Sequence, residues 1–220
     1  MRTFSVHAAL TLLFCTFLCT CSRAPADDVQ DLVIGNLRYQ ERSQLLDATV
    51  EIRREDTSTT YSPPTVFNFP MQKVPRGGEL FKYRRPMQYP AILLLDVPCH
   101  NDRCPLELRF PPVSVAAIPD VIARGQKLRA PIGRSALGEG ESLLYFFEST
   151  DRSAPRQIQI LGPTASNVVT LPKAAVSTIA PGEYELYLIK QKLVKDSTSK
   201  LRSSFQLAFY TNTKPVTVTD

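Results

Sequence analysis

Cys99 and Cys104 close the segment CHNDRC, with His100 and Asp102 between them. Four side chains of ligand type within six positions could hold a zinc-like ion, and the two thiols could equally form a redox dithiol or oxidise into a clamp. Redox motifs carry two residues between their cysteines, whereas four separate these. The flanking segments AILLLDV and PLELRF read as strands, so the chain doubles back and brings the sulfurs within bonding range. Outside the cytoplasm such thiols oxidise. The expectation is a Cys99–Cys104 disulfide at a hairpin tip, with no metal bound.

Other chemistry is thin. Of two histidines in the chain, His7 lies in the N-terminal apolar region, so a Ser-His-Asp hydrolase or a multi-histidine zinc site would rest on His100 alone. Ser135 in GRSALGEG lacks the G-x-S-x-G spacing of a nucleophile elbow. Glu139 and Glu141 could form a carboxylate pair, but neighbours around Gly140 are expected on a solvated turn. No Gly-rich phosphate cradle occurs. The sequence therefore predicts a non-enzymatic protein without cofactor. Glycan faces use exposed aromatic platforms, and with no Trp in the chain that role would fall to Tyr61, Tyr83, Tyr89 or Tyr145.

The compartment is read from the N-terminus. Arg2 is the only charge before an apolar run from Ala8 to Leu18, and the first acid is Asp27. This is a signal-peptide layout, too short for the roughly 20 apolar residues of a spanning helix. The run ends in LCTC, with Leu18 three positions before Cys21. This end resembles the lipobox of bacterial lipoproteins, although Thr20 stands where Gly, Ala or Ser is usual. The resemblance implies cleavage before Cys21 and its acylation, with each chain contributing about 0.8 kcal/mol of membrane affinity per buried methylene. Ser22 after the cysteine resembles the outer-membrane class. Ordinary secretion or periplasmic release, with cleavage after Ala24 or Ala26, is the alternative.

Loss of residues 1–20 leaves 25 basic and 21 acidic residues, a net of +4. The charges are evenly mixed, and the densest basic cluster, KYRRP, is too short for a nucleic-acid surface. Arg84 and Arg85 are read as a solvated turn, with anionic lipid or glycan as minor alternatives.

The elements that must position these groups are short and rich in Val, Ile, Leu, Tyr and Phe. In LLDATVEIRRE, Leu46, Ala48, Val50 and Ile52 alternate with polar residues, the period of a half-buried strand. DLVIGNLRY, VFNF, GELFKY, AILLLDV and PLELRF complete a first set, and Ala91 to Leu95 reads as a strand buried on both faces. QKLRAPI, SLLYFFES, RQIQIL, NVVTL, GEYELYLIKQKLV, SSFQLAFYT and PVTVT form a second, with only LPKAAVSTIA hinting at a helical turn. Between the sets, Pro111 and Pro112 deny ladder donors and mark a boundary. The fold class expected is all-β: a signal peptide over 1–20, a lipidated tether over 21–30, and antiparallel sandwich domains over 31–112 and 113–220.

In IAPGEYELYLIK, Pro181 and Gly182 set a turn and Tyr184 follows. The segment resembles the entry to the penultimate strand of immunoglobulin-like and fibronectin-type sandwiches, one residue shorter than the usual fibronectin spacing. The resemblance implies that the Tyr184 hydroxyl bonds back to the corner backbone. Such sandwiches bind, space and display. The function expected is a lipid-anchored envelope protein with a binding, accessory or scaffolding role toward a membrane or envelope protein; the alternative is a glycan-binding module beside an outer-membrane uptake system.

Overall fold

The computed structural model describes residues 31–54, 62–75, 77–99, 102–109, 112–151, 154–198 and 201–220. The first half contains β1 (Asp31–Gln40), β2 (Leu45–Arg53), β3 (Thr65–Val66), β4 (Phe69–Pro70), β5 (Gln72–Lys73), β6 (Leu80–Pro86), β7 (Leu93–Cys99) and β8 (Asp102–Leu108). The second contains β9 (Val121–Ala123), β10 (Leu128–Pro131), β11 (Glu141–Ser149), β12 (Arg156–Leu161) and β13 (Val168–Leu171). A single helical turn, α1 (Lys173–Val176), precedes β14 (Gly182–Ser197), β15 (Leu201–Tyr210) and β16 (Lys214–Thr219). The described chain is all-β apart from this turn, its strands arranged in three sheets. No helix among the described residues is long and apolar enough to cross a membrane.

The main sheet runs β12-β11-β14-β15-β1-β2-β6-β5, with β16 and β9 branching from β14. A second sheet, β4-β3-β7-β8, covers the first-half portion, and β10 pairs with β13. Period-two burial sets the layers. Val33, Leu37 and Tyr39 of β1, Ala48 and Val50 of β2, and Leu93, Leu95 and Val97 of β7 enter one core. Each fully buried side chain of this size contributes about 1.5–3 kcal/mol.

Three sequence expectations are corrected. VFNF is not one strand: Phe67 and Asn68 take φ of 49° and 65°, turning the chain between β3 and β4 in the manner of a two-residue hairpin loop. The run Ala91 to Leu95 is buried on one face only, because β7 is packed from one side and Leu94 remains 46% exposed. The three-residue β9, just past the proline-rich boundary, lies outside every segment read as a strand.

Pro112 lies outside the strands, and Pro111 is outside the described residues. Hydrogen bonding nevertheless links residues from either side of this point. β15 pairs antiparallel with β14 and parallel with β1, in unbroken register from Asp31↔Leu201 to Gln40↔Tyr210. The hand-over occurs on β14, which pairs with β16 over Gly182 to Leu186 and with β15 from Ile189 onward. Thr211 stitches the switch: its N–H donates to the Leu188 carbonyl at 3.0 Å and its hydroxyl oxygen accepts from the Leu188 N–H at 2.9 Å.

Gly35 faces Phe205 across this parallel pair. The Phe205 ring lies against the Gly35 backbone, so a Cβ there would overlap its Cδ1 and Cε1 atoms. Gly35→Val should expel the fully buried ring and lower stability by about 2–3 kcal/mol, as expected for overpacking. Urea unfolding of the two proteins measures the difference.

Candidate functional site

Cys99, Asp102 and Cys104 lie at the end of the β7–β8 hairpin. Cys99 pairs with Asp102 and Val97 with Cys104. Cys99 and Cys104 are joined by a disulfide across a Cα separation of 5.9 Å, with Cys99 fully buried. Arg103 reinforces the hairpin: its Nε pairs with the Asp96 carboxylate, and one terminal nitrogen donates to the Asp96 carbonyl at 3.0 Å. Both sulfurs are therefore covalently committed. His100 lies outside the described residues, and among those described no group of three His, Cys, Asp or Glu side chains could hold a metal. The loop is a clamp on a core strand.

Of the sequence-predicted glycan tyrosines, Tyr83 and Tyr145 are not on the surface. Tyr83 and Tyr145 point into the core, because Phe81 and Tyr83 on β6, and Leu143, Tyr145 and Phe147 on β11, share the inward parity. Burial pushes the Tyr145 phenol well above its usual pKa, and its hydroxyl finds no hydrogen-bond partner among the described residues. Tyr89 packs edge-on against Tyr39 and Phe209 at 4.9 and 5.0 Å. Burial, then the Tyr39 phenol, raises its pKa as well. Tyr61 and Cys21 lie outside the described residues. Tyr184 behaves as its resemblance implies: its hydroxyl donates to the Ala180 carbonyl at 2.9 Å.

Glu141 is not a solvated turn residue. It opens β11 with its side chain 7% exposed, 2.9 Å from the fully buried Lys190 ammonium and 3.6 Å from that of Lys192. The Gly138 N–H donates to the same carboxylate at 3.0 Å. Burial pushes the Glu141 pKa upward, but the Gly138 hydrogen bond and the two lysines outweigh it and hold the carboxyl below its ordinary value. Glu139 stays exposed on the turn, so the two do not form a catalytic pair. Ser135 is likewise exposed, in an irregular segment.

The feature that sequence reasoning missed is the outward face of the main sheet. Leu144, Ile189 and Ala208, on three adjacent strands, are buried in a cluster separate from the core, with Tyr187 and Tyr210 packed against it. Phe146 stacks on Tyr187 at 4.8 Å between ring centroids. Leu193 and Leu161, 47% and 69% exposed, extend the apolar surface. Among the described residues, no further layer covers this patch. Its signal was present in LLYFF and YLI, where both parities are apolar, the pattern of a strand with two apolar faces.

Further along the same face, KYRRP is strand rather than turn. Lys82 and Arg84 project outward from β6, beside Asp47 and Thr49 of β2 and Asn36 and Arg38 of β1. Together they line a recess of ≈ 490 Å³. Arg85 has the opposite parity and stacks its guanidinium over Phe69 at 4.1 Å.

No family model matches the chain, and no curated protein matches it. Among solved structures it is similar to the FN1–FN3 domains of chicken CNTN1, at 12% identity and a TM-score of 0.24, covering 83% of this chain and 67% of that one. It is also similar to trypsin-activated alpha-2-macroglobulin from Escherichia coli, at 12% identity and a TM-score of 0.24, covering 84% of this chain and only 16% of that one.

Two outcomes follow from the site geometry. Replacing Cys99 and Cys104 together by Ser should cost no more than about 2–3 kcal/mol in chemical denaturation, since so short a loop restricts the unfolded chain little. Glu141→Ala should cost about 3–5 kcal/mol because it strands Lys190, whereas Glu141→Leu combined with Lys190→Met should recover most of that loss. The depressed Glu141 pKa adds stability above its unfolded value of about 4.3, lost as pH falls through the folded value. A stability profile between neutral pH and pH 2 should therefore show a shallower acid limb in the double variant.

Proposed function

We propose that the protein is a lipid-anchored component of a bacterial cell envelope, of the outer-membrane class, with a non-catalytic binding or scaffolding role. The open face of the main sheet is its contact surface. The observation carrying this reading is the outward cluster of Leu144, Phe146, Tyr187, Ile189, Ala208 and Tyr210, which no further described layer covers and whose aromatic members lie over nearly buried aliphatic ones. Contiguous apolar surface of this kind marks interaction sites, and paired rings add area at little conformational cost. The LCTC motif supports the anchor at Cys21. The ten residues from Cys21 to Gln30 would allow β1 to stand up to about 35 Å from the membrane.

A second reading, glycan binding, is favoured by the polar recess on the same face, where charged and amide-bearing side chains converge. It uses residues other than the core tyrosines.

Cys21→Ser should move the protein from the membrane to the soluble fraction and abolish incorporation of labelled palmitate. Wild-type protein that takes up no label would refute the anchor. Tyr187→Asp should leave the far-UV spectrum unchanged and remove the crosslinked species formed in intact envelopes. Unchanged crosslinking would take the contact surface away from this patch.

A further inference from the structure

The outward-facing recess at the β6 end of the main sheet has a specific charge geometry. Cross-strand register aligns Arg38, Asp47 and Arg84 in one row, and Asn36, Thr49 and Lys82 in the next. Strands lie about 4.8 Å apart, so Arg38 and Arg84 originate about 10 Å from one another, and Lys82 sits about 7 Å along its strand from Arg84. Arg38, Lys82 and Arg84 are exposed; Asn36, Asp47 and Thr49 are partly covered between them. Among the described residues, none of the three cations is in an ion pair, although Asp47 is the cross-strand neighbour of both arginines. The Arg38 Nε donates instead to the Asn36 side-chain carbonyl at 3.2 Å.

We infer that this recess binds an anionic oligosaccharide, whose carboxylate or phosphate groups engage Arg38, Lys82 and Arg84 while its hydroxyls engage Asp47, Asn36 and Thr49. The inference rests on the open face being the contact surface and names the ligand chemistry for one part of it. Charge complementarity requires an anion, because three cations surround one carboxylate. The carboxylate selects which anion. A compact phosphate centred among the cations would lie against Asp47 and be repelled, whereas a saccharide offers separated negative groups with hydroxyl donors between them. Asp47 then accepts from a hydroxyl, a charge-assisted bond stronger than one between neutral groups. A flat lipid surface fits less well, since the partly covered Asp47 and Thr49 lie below the arms of the exposed cations.

Calorimetric titration of the soluble Cys21→Ser protein at low salt tests the assignment, with tetragalacturonate and a heparin tetrasaccharide as acidic probes. Maltotetraose, inorganic phosphate and phosphatidylglycerol vesicles serve as contrasts. Binding of at least one acidic tetrasaccharide is expected, with none of maltotetraose, and affinity should fall about tenfold or more in Arg38→Gln/Arg84→Gln, as loss of charge-assisted bonds implies. Rising salt should weaken it, because exposed charges are screened. Asp47→Asn should divide the ligands, weakening the acidic sugar while strengthening inorganic phosphate. Failure of both acidic sugars, equal affinity in the double variant, or binding of vesicles but not sugar would each overturn the inference. Tyr187→Asp should leave sugar binding intact. If crosslinking through the aromatic patch survives while sugar binding fails, the inference falls and the contact-surface reading stands.

Discussion

The placement of β15 between β14 and β1 is the interaction on which the rest of the architecture depends. Parallel neighbours cannot be joined by a tight turn and require a long connection; here most of the described chain lies between them. Phe205, Leu207 and Phe209 present their inward faces to the shared core, and Phe205 can do so because Gly35 has no side chain. The pairing makes a single sheet of strands that would otherwise belong to separate layers. Thr211, which fills both the donor and the acceptor of Leu188, lets β14 change partners without leaving buried amides unpaired.

Among the described residues, a sheet assembled in this way packs one face into the core and carries no second layer on the other. The aromatic cluster at β11, β14 and β15, and the basic recess at β1, β2 and β6, belong to one surface because β15 meets β1. The two regions differ in what they ask of a ligand. The first rewards loss of water from apolar surface, and the second rewards charge and hydroxyl complementarity.

Strands were legible in the sequence wherever period-two alternation was clean, as in LLDATVEIR, and where apolar runs stood between turn residues, as in RQIQIL. The hairpin clamp was legible because Cys99 and Cys104 flank a reversal between two such runs. The pairing of β1 with β15 was not, since the parity of each strand is satisfied by any apolar partner and sequence separation carries no register. Two of the candidate glycan tyrosines, Tyr83 and Tyr145, were misplaced for a related reason. Tyr83 and Tyr145 are typical half-exposed residues by type, and only the parity of Phe81 and of Leu143 with Phe147 sends them inward. Glu141 shows the limit most plainly, because its partners Lys190 and Lys192 are distant in sequence and nothing local in GEGE announces a buried ion pair.

Hydrogen exchange tests the continuous sheet most directly. In the intact chain, the amides of β1 and β15 are expected to exchange together, protected as strongly as those of β14, because each strand supplies the other's hydrogen-bond partners. Amides of β15 that face β1 exchanging at the rate of an exposed edge, while those of β14 remain protected, would contradict the account and separate the aromatic patch from the basic recess.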